Sequence, residues 1–141
     1  MVRKFITLFV LFLMLCVLGC STVNNPKAEA DAIESANMWL SLIDNEKYEE
    51  SWHESAQSFR NAILTIRWYR TMETARKPLG AVLSREVISK SYQTSLPGAP
   101  DGQYVIIQFK TSFSNKNSVI EIVTPMLDND GKWRVSGYYI K

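Results

Sequence analysis

The chain has 141 residues, 16 Lys plus Arg against 14 Asp plus Glu, and 46% hydrophobic residues including 4 Trp and 6 Tyr. A charge this close to balance, with no basic stripe interleaved with aromatics, argues nothing for nucleic acid or anionic lipid as partners, and no nucleic acid is expected. One histidine and two cysteines are too few for a zinc or iron site, so no metal and no cofactor is expected.

The chain opens Met1-Val2-Arg3-Lys4 and continues with a 14-residue stretch, 5 to 18, that is apolar except for Thr7. A charged start followed by a short apolar stretch is the pattern of a signal peptide. A helix crossing the hydrocarbon core needs roughly 20 residues, so this stretch is too short to span comfortably. It ends Val17-Leu18-Gly19-Cys20-Ser21, which resembles the lipobox of bacterial lipoproteins. Val17 departs slightly from the more common Leu. The resemblance implies diacylglycerol on the Cys20 thiol, cleavage before Cys20, and acylation of the new amine. Several acyl chains on one residue make a durable anchor, where a single chain binds a membrane only reversibly. Ser21 rather than Asp after the cysteine is similar to an outer-membrane sorting signal in a Gram-negative cell, facing the periplasm.

Processing defines three expected regions: a signal peptide over 1–19, lipidated Cys20 with a tether to residue 27, and a single domain over 28–141. Cleavage removes Arg3 and Lys4, which leaves 14 cations against 14 anions. It also removes Cys16, so no disulfide is available. About 120 residues can bury a core without one. The tether, residues 21–27, contains Pro26 and reaches about 25 Å when extended, which keeps the domain close to its membrane.

Within the domain, Ala32, Ala36, Trp39, Leu40 and Ile43 follow a 3.6-residue period and predict an amphipathic helix over 28–43. Asp44-Asn45 reads as its stop and as a new N-cap. A second helix is expected from 46, with Tyr48, Ser51, Trp52, Ser55 and Phe59 on one side. A third, over 60–77, aligns Leu64, Trp68, Met72 and Ala75, and Pro78-Leu79-Gly80 ends it.

After Gly80 the period becomes alternating and predicts strands over 81–92, 103–114, 118–128 and 132–140. Leu96-Pro97-Gly98-Ala99-Pro100-Asp101-Gly102 is a stiff loop, Ser114-Asn115-Lys116-Asn117 a short hairpin, and Asp128-Asn129-Asp130-Gly131 a turn closed by Asp-Gly. Strands joined so tightly are antiparallel neighbours. Val105, Ile107, Phe109 and Phe113 form the expected core face of the second strand, and Trp133, Val135, Gly137 and Tyr139 that of the fourth. Gly137 is a candidate bulge or bend, and Pro125 places a bulge or an edge in the third strand. The expected fold is α+β: three N-terminal helices packed on a four-stranded antiparallel meander.

The segments Trp39-Leu40-Ser41-Leu42-Ile43-Asp44, Arg76-Lys77-Pro78-Leu79-Gly80 with Arg85, Leu96-Pro97-Gly98-Ala99-Pro100-Asp101-Gly102-Gln103-Tyr104 and Asp130-Gly131-Lys132-Trp133-Arg134-Val135-Ser136-Gly137-Tyr138-Tyr139 resemble a bacterial family of unknown function, number 4019. So do Tyr48, Ser51-Trp52, Trp68, Phe109-Lys110-Thr111-Ser112-Phe113 and Glu121. The order of elements is also similar to the cystatin-like cone shared with nuclear transport factor 2-like proteins. That resemblance implies a curved sheet wrapped on a helix, on a fold that hosts enzymes, ligand binders and interaction domains alike.

No serine sits on a strand-turn-helix elbow and no glycine loop suits a phosphate. His53, near Glu49 and Glu50, reads as a solvated imidazole. The charges among core residues are more informative. Glu121 stands between Val119 and Val123, Arg85 between Leu83 and Val87, and Arg76 closes the third helix. A lone buried charge costs several kcal/mol, so these must pair or meet a ligand. Two readings stand: a buried or rim ion pair, or a cavity for an anionic or polar group with Trp52, Trp68 and Tyr104 as apolar walls. In the third strand Ile120 and Ile122 leave a second apolar face for a homodimer or an envelope protein partner. The leading expectation is a non-enzymatic, membrane-anchored binding or interaction module. The alternative is a small cone-fold ligand binder or enzyme with a cavity near Arg85 and Glu121.

Overall fold

The computed structural model describes residues 23–141. The expected signal peptide, the lipobox-like stretch and Cys20 lie outside the described residues. Four helices precede the sheet: α1 Pro26–Asp44, α2 Tyr48–His53, α3 Gln57–Ala62 and α4 Thr65–Ala75, with a 3-10 turn at Lys77–Leu79. A four-stranded antiparallel sheet follows, β1 Val82–Gln93, β2 Tyr104–Phe113, β3 Lys116–Leu127 and β4 Trp133–Ile140, in the order β1-β2-β3-β4. Among the described residues no helix is long and apolar enough to cross a membrane.

The helix α1 starts two residues earlier than expected, so Pro26 and Lys27 belong to it rather than to the tether. The Asn25 side chain accepts from the Ala28 amide and Pro26 takes the first turn, where a missing N–H costs nothing. Its buried stripe, with Ala32, Ala36, Trp39, Leu40 and Ile43, is the one the period predicts. Asn45 caps the end of α1, through Asn45 N–H to Ser41 O at 3.2 Å, and does not start the next helix, whose N-cap is Lys47.

The expected second and third helices are three. Tyr48, Ser51, Ser55 and Phe59 are buried on one side as expected, but the backbone is extended at Ala56 and again at Ile63 and Leu64. Each break is held by a tertiary hydrogen bond. Ala56 N–H donates to Val135 O of β4 at 2.8 Å, and the Trp52 indole donates to Ile63 O at 2.8 Å. The stripe on α4 continues from Trp68 and Met72 to Arg76, all three buried, while Leu64 is exposed and Ala75 faces outward.

In the sheet, Val105, Ile107, Phe109 and Phe113 are buried with Val119 and Val123 of β3, as alternation predicts. Irregularities then decide which residues face inward. Bulges at Leu83 and Ile88 in β1 push both side chains outward. Thr124 pairs with Gly137 and Pro125 with Val135, so Ser136 is an extra residue in β4. One extra residue inverts the alternation beyond it. Tyr138, expected outside, is 9% exposed, and Tyr139, expected on the core face, is 67% exposed. The turn after β3 is fastened by Arg134, whose guanidinium holds the Asp130 carboxyl well below the usual carboxylate range.

Gly80 links the helices to the sheet at φ +82° and ψ −159°, a region essentially restricted to glycine, and a Cβ there would meet Ser114 Oγ at 2.1 Å. Gly80→Ala is therefore expected to lower unfolding stability by about 1–3 kcal/mol in urea denaturation, and an unchanged midpoint would contradict this geometry.

Candidate functional site

The charged residues that stand among core positions meet at one place. Asp44 is the last residue of α1, where a carboxylate opposes the negative end of the helix dipole. Two guanidiniums offset that. Arg85 of β1 binds it in bidentate fashion, Nη1 to Oδ2 at 2.7 Å and Nη2 to Oδ1 at 2.9 Å, and Arg76 Nη2 reaches Oδ1 at 3.1 Å. Arg85 then turns its Nε to Glu121 Oε1 at 2.8 Å, joining the helix end to the middle of β3.

Glu121 is 0% exposed. Its Oε1 also accepts from Thr111 Oγ1 of β2 at 2.6 Å, and its Oε2 accepts from the Tyr138 hydroxyl of β4. Both oxygens are thus satisfied, which is what permits a carboxylate without solvent. Arg76, 3% exposed, donates to Gly80 O at 2.8 Å and lies 4.4 Å from the centroid of the Phe113 ring, although its Nε has no hydrogen-bond partner. The four ionised side chains form a chain of alternating sign, Arg76, Asp44, Arg85 and Glu121, with two cations and two anions.

Burial opposes the charge on Arg85, but the hydrogen bonds it donates to Asp44 and Glu121 outweigh it and raise the guanidinium further above its already high value. Burial, then the adjacent Glu121 charge and the hydrogen bond to it, raise the Tyr138 phenol well above its ordinary 10. The arrangement can hold a proton on Tyr138 and two charges on the arginines, while each carboxylate is already occupied by protein donors.

The three aromatic residues expected beside these charges do not wall a common cavity with them. Trp68 packs against Trp39, Phe59 and Tyr138, with its indole donating to Ser51 Oγ at 3.0 Å, and makes no hydrogen bond to the charged side chains. Trp52 sits between α2 and Ile63 with its ring against exposed His53. Tyr104, 3% exposed, lies under the β1–β2 loop with its hydroxyl on Pro100 O at 2.6 Å. Sequence reasoning found Arg76, Arg85 and Glu121 and missed Asp44, Thr111 and Tyr138. Asp44 carried a signal, an acid at a helix C-terminus that needs cations. Tyr138 carried none, because the bulge at Ser136 put it on the inner face.

Breaking a buried charge pair from one side costs about 3–5 kcal/mol, so Arg85→Leu is expected to lose that much in thermal or urea unfolding, and a gain in stability would remove the ion-pair reading. The Tyr138 proton gives a second expectation. Its folded pKa lies above the unfolded one, so its contribution is complete below about pH 10 and is lost as pH rises above that, at up to about 1.4 kcal/mol per unit. Tyr48, raised chiefly by burial, acts in the same direction. Tyr138→Phe should therefore flatten, without abolishing, the alkaline fall in stability followed by circular dichroism.

A family model described as Protein of unknown function (DUF4019) matches residues 35–138. No curated protein and no solved structure gives a significant match. The matched stretch carries Asp44, Arg76, Arg85, Thr111, Glu121 and Tyr138, so every side chain of the charged cluster lies inside it. It covers well over half of the chain, and the protein belongs to this family of unknown function, DUF4019.

Proposed function

We propose that the protein is an envelope lipoprotein, anchored through acyl chains on Cys20, whose domain is a non-enzymatic binding or interaction module. The observation that carries the reading is the sequence Arg3-Lys4, the apolar stretch to Leu18, and Gly19-Cys20-Ser21, in which charge, length, small residue and thiol agree. In a Gram-negative cell the anchor lies in the outer membrane and the domain faces the periplasm.

The domain supports a binding role in what its charges do. Asp44, Arg76, Arg85 and Glu121 spend their charge on one another, which favours a structural ion network over an acid or base waiting for substrate. The β3 residues Ile120 and Ile122 and the exposed Tyr139 give the outer face of the sheet an apolar surface for a second copy or an envelope protein. A long helix packed on one face of a meander bent by bulges is also the arrangement of a cystatin-like cone, and we read the fold that way.

Cys20→Ala is expected to abolish palmitate incorporation and to move the protein from the membrane to the soluble fraction. A variant that still labelled with palmitate would overturn the anchoring reading.

A further inference from the structure

An open groove of about 510 Å³ borders β4, between α3 and the β1–β2 loop. Four of its five aromatic residues, Phe59, Trp68, Tyr104 and Tyr138, are each 9% exposed or less and Tyr139 is 67% exposed, and its walls include Ala62, Leu96 and Gly137. The volume lies within the roughly 300–1,000 Å³ of small-molecule sites. Among the described residues lining it there is no Asp, Glu, Lys, Arg or His.

Five of the seven polar side chains on its walls are turned into the protein, and among the described residues the hydroxyls of Thr124 and of exposed Tyr139 make no hydrogen bond. The Trp68 indole donates to Ser51, the Tyr104 hydroxyl to Pro100 O, Ser136 Oγ to Thr124 O at 2.8 Å, Ser58 Oγ to Met126 Sδ at 3.2 Å, and the Tyr138 hydroxyl to Glu121. A peptide or a sugar entering here would bring amides or hydroxyls that need partners, and leaving those unpaired is costly. A hydrocarbon chain brings none and gains from contact with the aromatic rings.

Position supplies the second argument, and it rests on the anchoring reading above. Lys90 lies 3.5 Å from Glu29 near the start of α1, while Arg85 meets Asp44 at its end. Thus α1 runs antiparallel to β1, and the loop after Gln93 lies at the end of the domain where Pro26 begins α1. Cys20 is six residues before Pro26, a reach of about 20 Å. The tether therefore holds the groove beside the bilayer surface.

We propose that this groove holds one hydrocarbon chain of a membrane lipid. Drawing in one of the protein's own acyl chains would subtract from the anchor, so the occupant is a separate lipid molecule.

The test uses the full acylated protein in phosphatidylethanolamine vesicles doped with a phosphatidylcholine that carries a diazirine on one acyl chain. After irradiation, adducts are expected on peptides that contain residues 59–63 and 96–100. Two variants address the same space. Gly137→Leu fills it, since a Cβ there meets only Thr124, at an ordinary 3.8 Å. Ala62→Glu places a charge on an exposed wall position. Each is expected to lower groove adducts by about tenfold or more while labelling of residues before Pro26 is unchanged. Adducts confined to residues before Pro26, or groove labelling indifferent to both variants, would overturn the proposal. A cross-link from Cys20 to the groove, seen after metabolic incorporation of diazirine palmitate and removal of free lipid, would also overturn it by assigning the site to the protein's own chain. Intact mass reads acylation separately. If no acyl mass is found, the anchoring reading fails, and photolabelling of the same protein in dodecyl maltoside micelles doped with the diazirine lipid still decides the groove.

Discussion

Glu121 has no solvent access and sits in the third of four strands, so every neighbouring element must supply something to it or to the cation that neutralises it. Thr111 of β2 and Tyr138 of β4 donate from either side, and Arg85 of β1 reaches across from the sheet edge. Arg85 in turn fixes Asp44 at the end of α1, and Asp44 fixes Arg76 beyond α4. One carboxylate therefore ties all four strands, the long helix and the helix-to-sheet connection into a single arrangement. Removing one partner strands the rest in a low-dielectric interior, which is why breaking such a network from one side is strongly destabilising.

The sheet irregularities serve that arrangement. Without the extra residue at Ser136, Tyr138 would point to the outer face and Glu121 Oε2 would lose its donor. In β1 the bulges expose Leu83 and Ile88 and leave Arg85 opposite Thr111, aimed at the interior. The same bulge in β4 turns Tyr139 outward and places Gly137 on the wall of the apolar groove. Charged interior and uncharged groove are thus neighbours through Tyr138, whose hydroxyl belongs to the first and whose ring belongs to the second.

This division of labour connects the fold to its proposed setting. The charged cluster lies at the C-terminal end of α1, remote from the proposed anchor, and neither of its two carboxylates is left without a cation. The neutral groove lies toward the end where α1 begins, the end nearest the proposed anchor. Under the proposed anchoring, the domain would meet hydrocarbon at high local concentration, and an uncharged groove most of whose polar side chains have partners suits that environment.

The family, the α+β order of elements, the four strand positions, the inner face of β2 and the stripe of α1 were legible in the sequence, because each depends on local periodicity or on turn chemistry within a few residues. So was the need of Arg76, Arg85 and Glu121 for partners, since burial of charge is costly wherever it occurs. Tertiary structure alone decided the breaks at Ala56 and Ile63, where Val135 O, distant in sequence, and the Trp52 indole, 11 residues before Ile63, capture those backbone groups. It alone decided that Tyr138 rather than Tyr139 faces inward, because one extra residue in β4 reverses every later side chain. And it alone chose Asp44 as the acid shared by both arginines, since a salt bridge depends on distance in space, which composition and spacing along the chain do not carry.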